Sequence, residues 1–178
     1  MSPGIRVFGG DMTVSMHEIS VGVFSRMLNQ LLVQMDKAEA YASERRFDVN
    51  VLLQDRLAPD MFPFLRQVRS ATDHAKGASA RLSGKPTPVF EDHEASFADL
   101  RARVQKTLDF LATVNPADLV GAEDRPITLK MGQSEVIEPG LGYLLERAMP
   151  NFYFHLTTAY AILRHNGVPV GKKDYLGK

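Results

Sequence analysis

The chain has 178 residues, of which 21 are basic and 21 acidic, and it contains no cysteine. This length suits one domain with one core, and the balanced charge argues against nucleic acid or an anionic membrane as a partner. The lack of cysteine excludes disulfides, thiol nucleophiles and thiolate metal sites. No apolar run approaches the roughly 20 residues that span a bilayer, and the start lacks a secretory pattern, so we expect a cytoplasmic protein.

The N-terminal part of the sequence predicts a short extension and a long first helix. Residues 1–11 carry three glycines and one proline without periodicity, which indicates a frayed extension before a single domain over residues 12–178. Ser15 and Glu18 have the S-x-x-E spacing of a capping box. The apolar stripe that follows has a period of 3.6 and predicts a helix over about 17–44.

Three more helices and a hairpin are expected after it. The second helix should begin near Asp60 and end at Ser83, ahead of a glycine and two prolines. The third is predicted over about 92–113, and alternating residues within 126–139 predict a small β-hairpin. The last helix carries an apolar stripe over 145–163. Four amphipathic helices, with the hairpin between the third and fourth, predict an all-α four-helix bundle.

Pro150 interrupts the last apolar run just before Asn151 and His155, and two interpretations are open. If the helix continues through Pro150, the proline removes the amide that would bond to the carbonyl of Glu146 and bends the helix. Asn151 and His155 would then turn toward a pocket. If a helix starts at Pro150 after a loop, the two polar residues are ordinary boundary residues.

Three separated blocks resemble a bacterial family of unknown function allied to the DinB/YfiT-like superfamily. In chain order they are APDMFPFLRQVRSATDHAKGASARL, GAEDRPITL and NFYFHLTTAYAILRHNGVPVGKKDYLG. The resemblance covers nearly the whole chain from about Met12, and it implies a DinB/YfiT-like four-helix bundle that is often a homodimer. Many members of that superfamily hold a divalent metal with one histidine on the second helix and two, four residues apart, on the last.

The resemblance places His155 on the second of these two histidines, because Leu163 and Arg164 follow it at the spacing of the superfamily. Asn151 then stands where the first histidine would be. An amide oxygen is a weak ligand for zinc or nickel, which favour imidazole, so this departure argues against a metal. Thr158 stands where relatives often carry glutamine, so a second polar position is altered.

A third ligand would come from the second helix, where Gln67, His74 and Asp73 are the candidates. At 100° per residue, Gln67 and His74 lie on one stripe beside the apolar face, whereas Asp73 points away toward Arg69 and Lys76. A kink or a shifted register would bring Asp73 inward, and its carboxylate would suit a metal. All three residues therefore remain candidates.

Two functions follow from these residues. The favoured one is a non-catalytic or metal-degenerate bundle that binds a small molecule or acts as a dimeric module, because one histidine of the pair is replaced. The alternative is a divalent-metal-dependent enzyme of the DinB/YfiT-like type, a hydrolase or thiol transferase with zinc, nickel or manganese. In either case we expect Pro150, Thr158 and Tyr153 to line the pocket. No nucleophile elbow or glycine-rich phosphate loop suggests another activity.

Overall fold

The structure is a computed structural model that describes residues 14–132 and 134–178, so the predicted extension over 1–11 lies outside the described residues. The α-helices are α1 (Val23–Arg45), α2 (Phe64–Ser83), α3 (Phe97–Ala112), α4 (Gly140–Tyr143), α5 (Met149–His165) and α6 (Lys172–Leu176). The two strands, β1 (Pro126–Met131) and β2 (Ser134–Pro139), pair antiparallel. Two π-helical turns (Glu18–Gly22, Leu144–Ala148) and two 3-10 turns (Val49–Gln54, Pro116–Leu119) complete the regular structure.

The described part of the chain is thus mostly helical with one small hairpin, as predicted, but it holds six α-helices rather than four. Four of the six are long, with 23, 20, 16 and 17 residues. The two additional helices, α4 and α6, have 4 and 5 residues. The sequence prediction missed both, because segments this short show no helical period.

Four buried phenylalanine rings join the long helices in pairs. Phe24 of α1 meets Phe152 of α5 edge to face at 4.9 Å, and Phe64 of α2 stacks on Phe97 of α3 at 5.3 Å. All four side chains are at most 1% exposed. Such aromatic pairs contribute about 0.5 to 1.5 kcal/mol each beyond the area that they bury. Because all four rings are buried, the core lies where α1 meets α5 and α2 meets α3.

Helix α2 begins later than predicted, at Phe64 rather than near Asp60. Pro63 occupies the position before the helix in an extended conformation, with φ −70° and ψ 166°. A proline disfavours the helical conformation in the residue before it, so Phe62 cannot continue a helix into Pro63. The amide of Phe64 instead donates to the carbonyl of Asp55 at 2.9 Å.

Helix α3 also begins later, at Phe97 rather than near residue 92. The hydroxyl of Ser96 accepts a hydrogen bond from the amide of Asp99 at 3.1 Å, which caps the helix at this point. Glu94 therefore lies before the helix and not in its first turn. Its carboxylate accepts a hydrogen bond from Arg103 at 2.7 Å and another from Arg69, which fastens the preceding segment to α2 and α3.

Other local predictions are confirmed. The hydroxyl of Ser15 accepts from the amide of Glu18 at 3.1 Å, and the Glu18 carboxylate accepts in return at 3.5 Å. The hairpin spans the predicted residues 126–139, with Gly132 at its turn with φ 64°. Along the described residues, no helix combines the length and the hydrophobicity that crossing a lipid bilayer would require.

The C-terminal segment folds back over α1 and α5. The carboxylate of Asp174 lies 2.7 Å from the ammonium of Lys37, and the hydroxyl of Tyr175 lies 2.8 Å from that of Thr157. The ring of Tyr175 also meets that of Tyr160 edge to face at 5.7 Å. Helix α6 is therefore part of the packed domain.

Candidate functional site

Pro150 lies inside one continuous helical segment. Helix α4, the π-helical turn Leu144–Ala148 and helix α5 follow each other without a break. Pro150 has no N–H, so the carbonyl of Glu146 lacks its usual donor four residues on. Prolines and π-helical turns are common causes of bends in helices. Of the two interpretations of Pro150, the structure therefore supports the one in which the helix continues through it.

Five residues after Pro150, His155 forms a hydrogen bond with Gln67 of α2. Its Nδ1 lies 2.8 Å from Gln67 Oε1, and the Nε2 of Gln67 donates to the carbonyl of Phe62 at 2.9 Å. Because the amide nitrogen of Gln67 is engaged in this way, its oxygen faces the imidazole. We therefore assign the proton of the neutral His155 ring to Nδ1, which leaves its Nε2 as an acceptor.

His74 and Phe62 lie close to the same imidazole. The ring of His74 has its centre 5.5 Å from that of His155, with 15° between the two planes. The ring of Phe62 is nearly parallel to that of His155, with 8° between the planes and 6.4 Å between the centres. The rings of Phe62, His74 and His155 thus lie close together where α2 faces α5.

Both histidines are neutral at physiological pH. Burial, the neighbouring His74 and the charge of Arg66 lower the pKa of His155 to about 4. Burial also lowers the pKa of His74; Asp73 opposes this change and Arg81 adds to it. Neutral imidazoles can accept hydrogen bonds or bind metals through their free nitrogens.

Two other ligand candidates are engaged elsewhere. Asn151 is exposed, and its side-chain nitrogen donates to the carbonyl of Arg147 at 2.7 Å, in its own helix. Asp73 lies 2.8 Å from Arg103 and 3.0 Å from Lys76, and its side chain is 45% exposed. Of the candidate ligands, the structure therefore brings Gln67, His74 and His155 together.

The three residues expected to line a pocket lie in different places. Pro150 is exposed. Thr158 is buried, and its hydroxyl donates to the carbonyl of Phe154 at 2.7 Å. Tyr153 packs against the core, with its ring 5.6 Å from that of Phe152.

A depression of about 240 Å³ opens beside His74. It lies between α2, the hairpin and the start of the last helix, and its lining residues are His74, Arg81, Leu129, Lys130, Tyr143, Arg147, Ala148 and Asn151. His74 and Asn151 are the two predicted site residues that contribute to it. Arg81, Lys130 and Tyr143 also line it, and nothing in their local sequence indicates that three such distant residues lie together.

The side chains near His155 do not fit the three-histidine metal site that the resemblance implies. They offer two imidazoles and the amides of Gln67 and Asn151. Over residues 14–132 and 134–178, no three side chains of the histidine, aspartate or glutamate type are grouped closely enough to hold a metal ion. Zinc and nickel favour imidazole over amide oxygen.

The sequence of the chain matches a known protein family over most of its length. The model described as "Domain of unknown function (DUF1993)" matches residues 16–176. The chain is similar to a DinB family member protein from Shewanella denitrificans whose crystal structure has been determined. The two share 44% sequence identity over 91% of this chain and 92% of that chain, with a TM-score of 0.86. A search of curated proteins found no match.

Proposed function

The chain belongs to the family described as "Domain of unknown function (DUF1993)", and from this premise we propose that it is a non-catalytic, metal-degenerate protein that binds a small molecule beside His74 and His155. The observation that carries the proposal is the hydrogen bond of 2.8 Å between His155 and Gln67. The site thus offers two neutral imidazoles rather than a complete set of metal ligands, and one of them, that of His74, lines an open depression.

The dimensions of the depression support a small ligand. Ligand sites of drug-sized molecules usually enclose about 300 to 1,000 Å³, whereas this depression has about 240 Å³. That volume corresponds to about eight water molecules. The ligand is therefore a molecule of few heavy atoms, bound by polar groups together with the apolar side chains of Leu129 and Ala148.

Two measurements test the proposal. A library of small molecules is titrated into the protein, purified without an affinity tag, while the ring protons of His74 and His155 are followed by NMR. We expect a subset of the library to shift these signals at millimolar concentration. A library in which no compound shifts them contradicts a binding function at this site.

Metal analysis of the same preparation distinguishes the proposal from the enzymatic alternative. We expect the wild type to contain less than one metal ion per chain, and we expect the metal content of the variant His155→Ala to be the same. Stoichiometric zinc, nickel or manganese that disappears in His155→Ala overturns the proposal. His93→Ala is the matched control, because the side chain of His93 is 78% exposed.

One observation favours that alternative, a divalent-metal-dependent hydrolase or thiol transferase. In metal sites, a ligating histidine usually donates its second ring N–H to a neighbouring oxygen, which fixes the ring and its tautomer. Gln67 has this relation to His155. If such an enzyme is the correct function, His155 and His74 are the residues that hold the metal.

The family resemblance also supports two proposals about the architecture, a four-helix bundle and a homodimer. We expect the four long helices to form a DinB/YfiT-like four-helix bundle and two copies of the chain to associate. Leu145 and Phe154 of the last helix are 54% and 57% exposed, which suits a surface that another copy covers. Light scattering after size-exclusion chromatography tests this expectation, and a monomeric mass at high protein concentration contradicts it.

A further inference from the structure

The depression beside His74 is lined by positive charge and contains no carboxylate among its lining residues. One of its three cations, Arg147, is neutralised by Glu138: its Nε lies 2.7 and 2.8 Å from the two carboxylate oxygens, and its Nη2 donates to one of them. Lys130 faces Glu135 across the hairpin, but the two form no ion pair within the described residues. Arg81 likewise has no carboxylate partner there. Two cations at the depression are therefore available to a ligand.

Arg81 is held in place by Tyr143. Its Nη1 donates to the Tyr143 hydroxyl at 3.2 Å, and its guanidinium carbon lies 5.9 Å from the centre of that ring. Tyr143 is 6% exposed, and burial raises the pKa of its hydroxyl above the usual value. The phenol stays protonated, and since its oxygen accepts from Arg81, its own proton is available for donation.

Gly77 makes room for this arrangement. A methyl group added at Gly77 would lie 2.7 Å from Arg81 Nη1, and its other close neighbour is the guanidinium carbon at 3.8 Å. Glycine inside a helix is less favourable than alanine. The guanidinium of Arg81 therefore lies in the space that a side chain at position 77 would fill.

We propose that this depression binds a short-chain organic carboxylate. Its oxygens accept hydrogen bonds from Arg81, Tyr143 and Lys130, and its apolar part lies against Leu129 and Ala148. The planar guanidinium matches a carboxylate with two parallel hydrogen bonds, and the apolar wall favours a carboxylate with a carbon chain over inorganic phosphate. This inference rests on the proposed binding function and names the ligand class of the same site.

Titrations with three probes test the inference. Butyrate, its neutral isostere butyramide, and inorganic phosphate are added separately while the backbone amides of the depression and the ring protons of His74 are followed by NMR. We expect butyrate to bind about tenfold more tightly than butyramide, since a charge-assisted hydrogen bond contributes this much or more. Because His74 lines the depression, bound butyrate should also shift the ring signals of His74.

Equal affinity for butyrate and butyramide overturns the preference for an anion while leaving a binding function intact. Tighter binding of phosphate than of butyrate overturns the carboxylate assignment. If no probe perturbs His74, the inference is wrong, and the broader library then decides separately whether the site binds other molecules.

Two variants connect the affinity to Arg81. Arg81→Met should weaken butyrate binding about tenfold, whereas Arg26→Met, at an exposed position of α1, should leave it unchanged. Gly77→Ala should have a melting temperature at or above that of the wild type. It should nevertheless bind butyrate several-fold more weakly, because the new methyl displaces the guanidinium. Unchanged affinity in both Arg81→Met and Gly77→Ala contradicts the inference.

Discussion

Folding changes the protonation of His155. Burial, His74 and Arg66 lower its pKa to about 4, whereas an unfolded histidine has a pKa of about 6.5. Between these values the unfolded chain takes up a proton that the folded protein does not. The free energy of unfolding therefore falls as the pH is lowered from about 6.5 to about 4.

We expect His155→Gln to remove part of this pH dependence. The substituted amide can still donate to Gln67, but it does not titrate. Urea unfolding between pH 4 and 7 should show a loss of stability in the wild type that exceeds the loss in the variant by about 1 to 2 kcal/mol, a value discounted for the partly exposed ring.

His93→Gln is the comparison, because the side chain of His93 is 78% exposed. It should retain the wild-type pH dependence. Parallel stability curves for the wild type and His155→Gln would show that His155 titrates as it does in the unfolded chain.

The sequence could predict which way a site residue points where that direction follows from its position in a regular helix. The shared stripe of Gln67 and His74 agrees with the structure, and Asp73 does point away, to Lys76 and also to Arg103. Arg81 was not predicted, because its place depends on a tyrosine 62 residues away. Contacts between distant segments leave no periodic signal in the chain.

At the scale of whole elements, periodicity predicted the interiors of the long helices well and their starts less well. The starts depend on single residues: Pro63 before α2 and Ser96 before α3. Asp60 also resembles a cap in the sequence, but Pro63 three residues later prevents a helix from beginning there. The start of such a helix is thus decided by single residues close to the apparent cap, which the helical period alone does not reveal.

Arg103 connects α3 to α2 and to the segment before α3. Its side chain is 2% exposed and lies 2.7 Å from Glu94 and 2.8 Å from Asp73, and its Nε donates to Thr72 at 3.0 Å. Burial alone would raise the pKa of Glu94, but the hydrogen bonds and charge of Arg103, together with Arg69, lower it. The Glu94 carboxylate is therefore ionised and depends on its guanidinium partners.

We expect Arg103→Met to destabilise the protein by about 3 kcal/mol, because the buried Glu94 carboxylate then keeps only Arg69 and loses the hydrogen bond of Arg103. Arg103→Lys should recover little of this, since an ammonium cannot reproduce the planar fork. Urea unfolding at neutral pH measures both. Arg101→Met, which breaks partly exposed ion pairs with Asp36 and Glu39 on α1, should cost about 1 kcal/mol or less. Equal losses at positions 101 and 103 would contradict this account.

In the molecule as a whole, the start of the last helix makes a close backbone contact at Gly140. A methyl group at Gly140 would lie 1.9 Å from the carbonyl oxygen of Ala122 and 3.1 Å from the side chain of Leu82. The next amide, that of Leu141, donates to Glu123 at 2.9 Å. Gly140 thus sets how closely the last helix approaches the 3-10 turn region and α2.

Gly140→Ala should destabilise the protein by about 1 to 3 kcal/mol, because the backbone must move to admit the methyl. Thermal and urea unfolding provide the measurement. Gly142→Ala lies two residues later in the same helix, where the nearest atom would be Pro139 at 3.5 Å. It should be neutral or slightly stabilising, and a loss there equal to that of Gly140→Ala would remove the close contact as the explanation.

The docking of α6 has a consequence for how the chain matures on the ribosome. Translation proceeds from the N-terminus, and domains fold as their residues emerge. Lys37 is made early, whereas its partner Asp174 follows 137 residues later in the chain. The surface of α1 that α6 covers therefore stays open to solvent until this late segment has been synthesised.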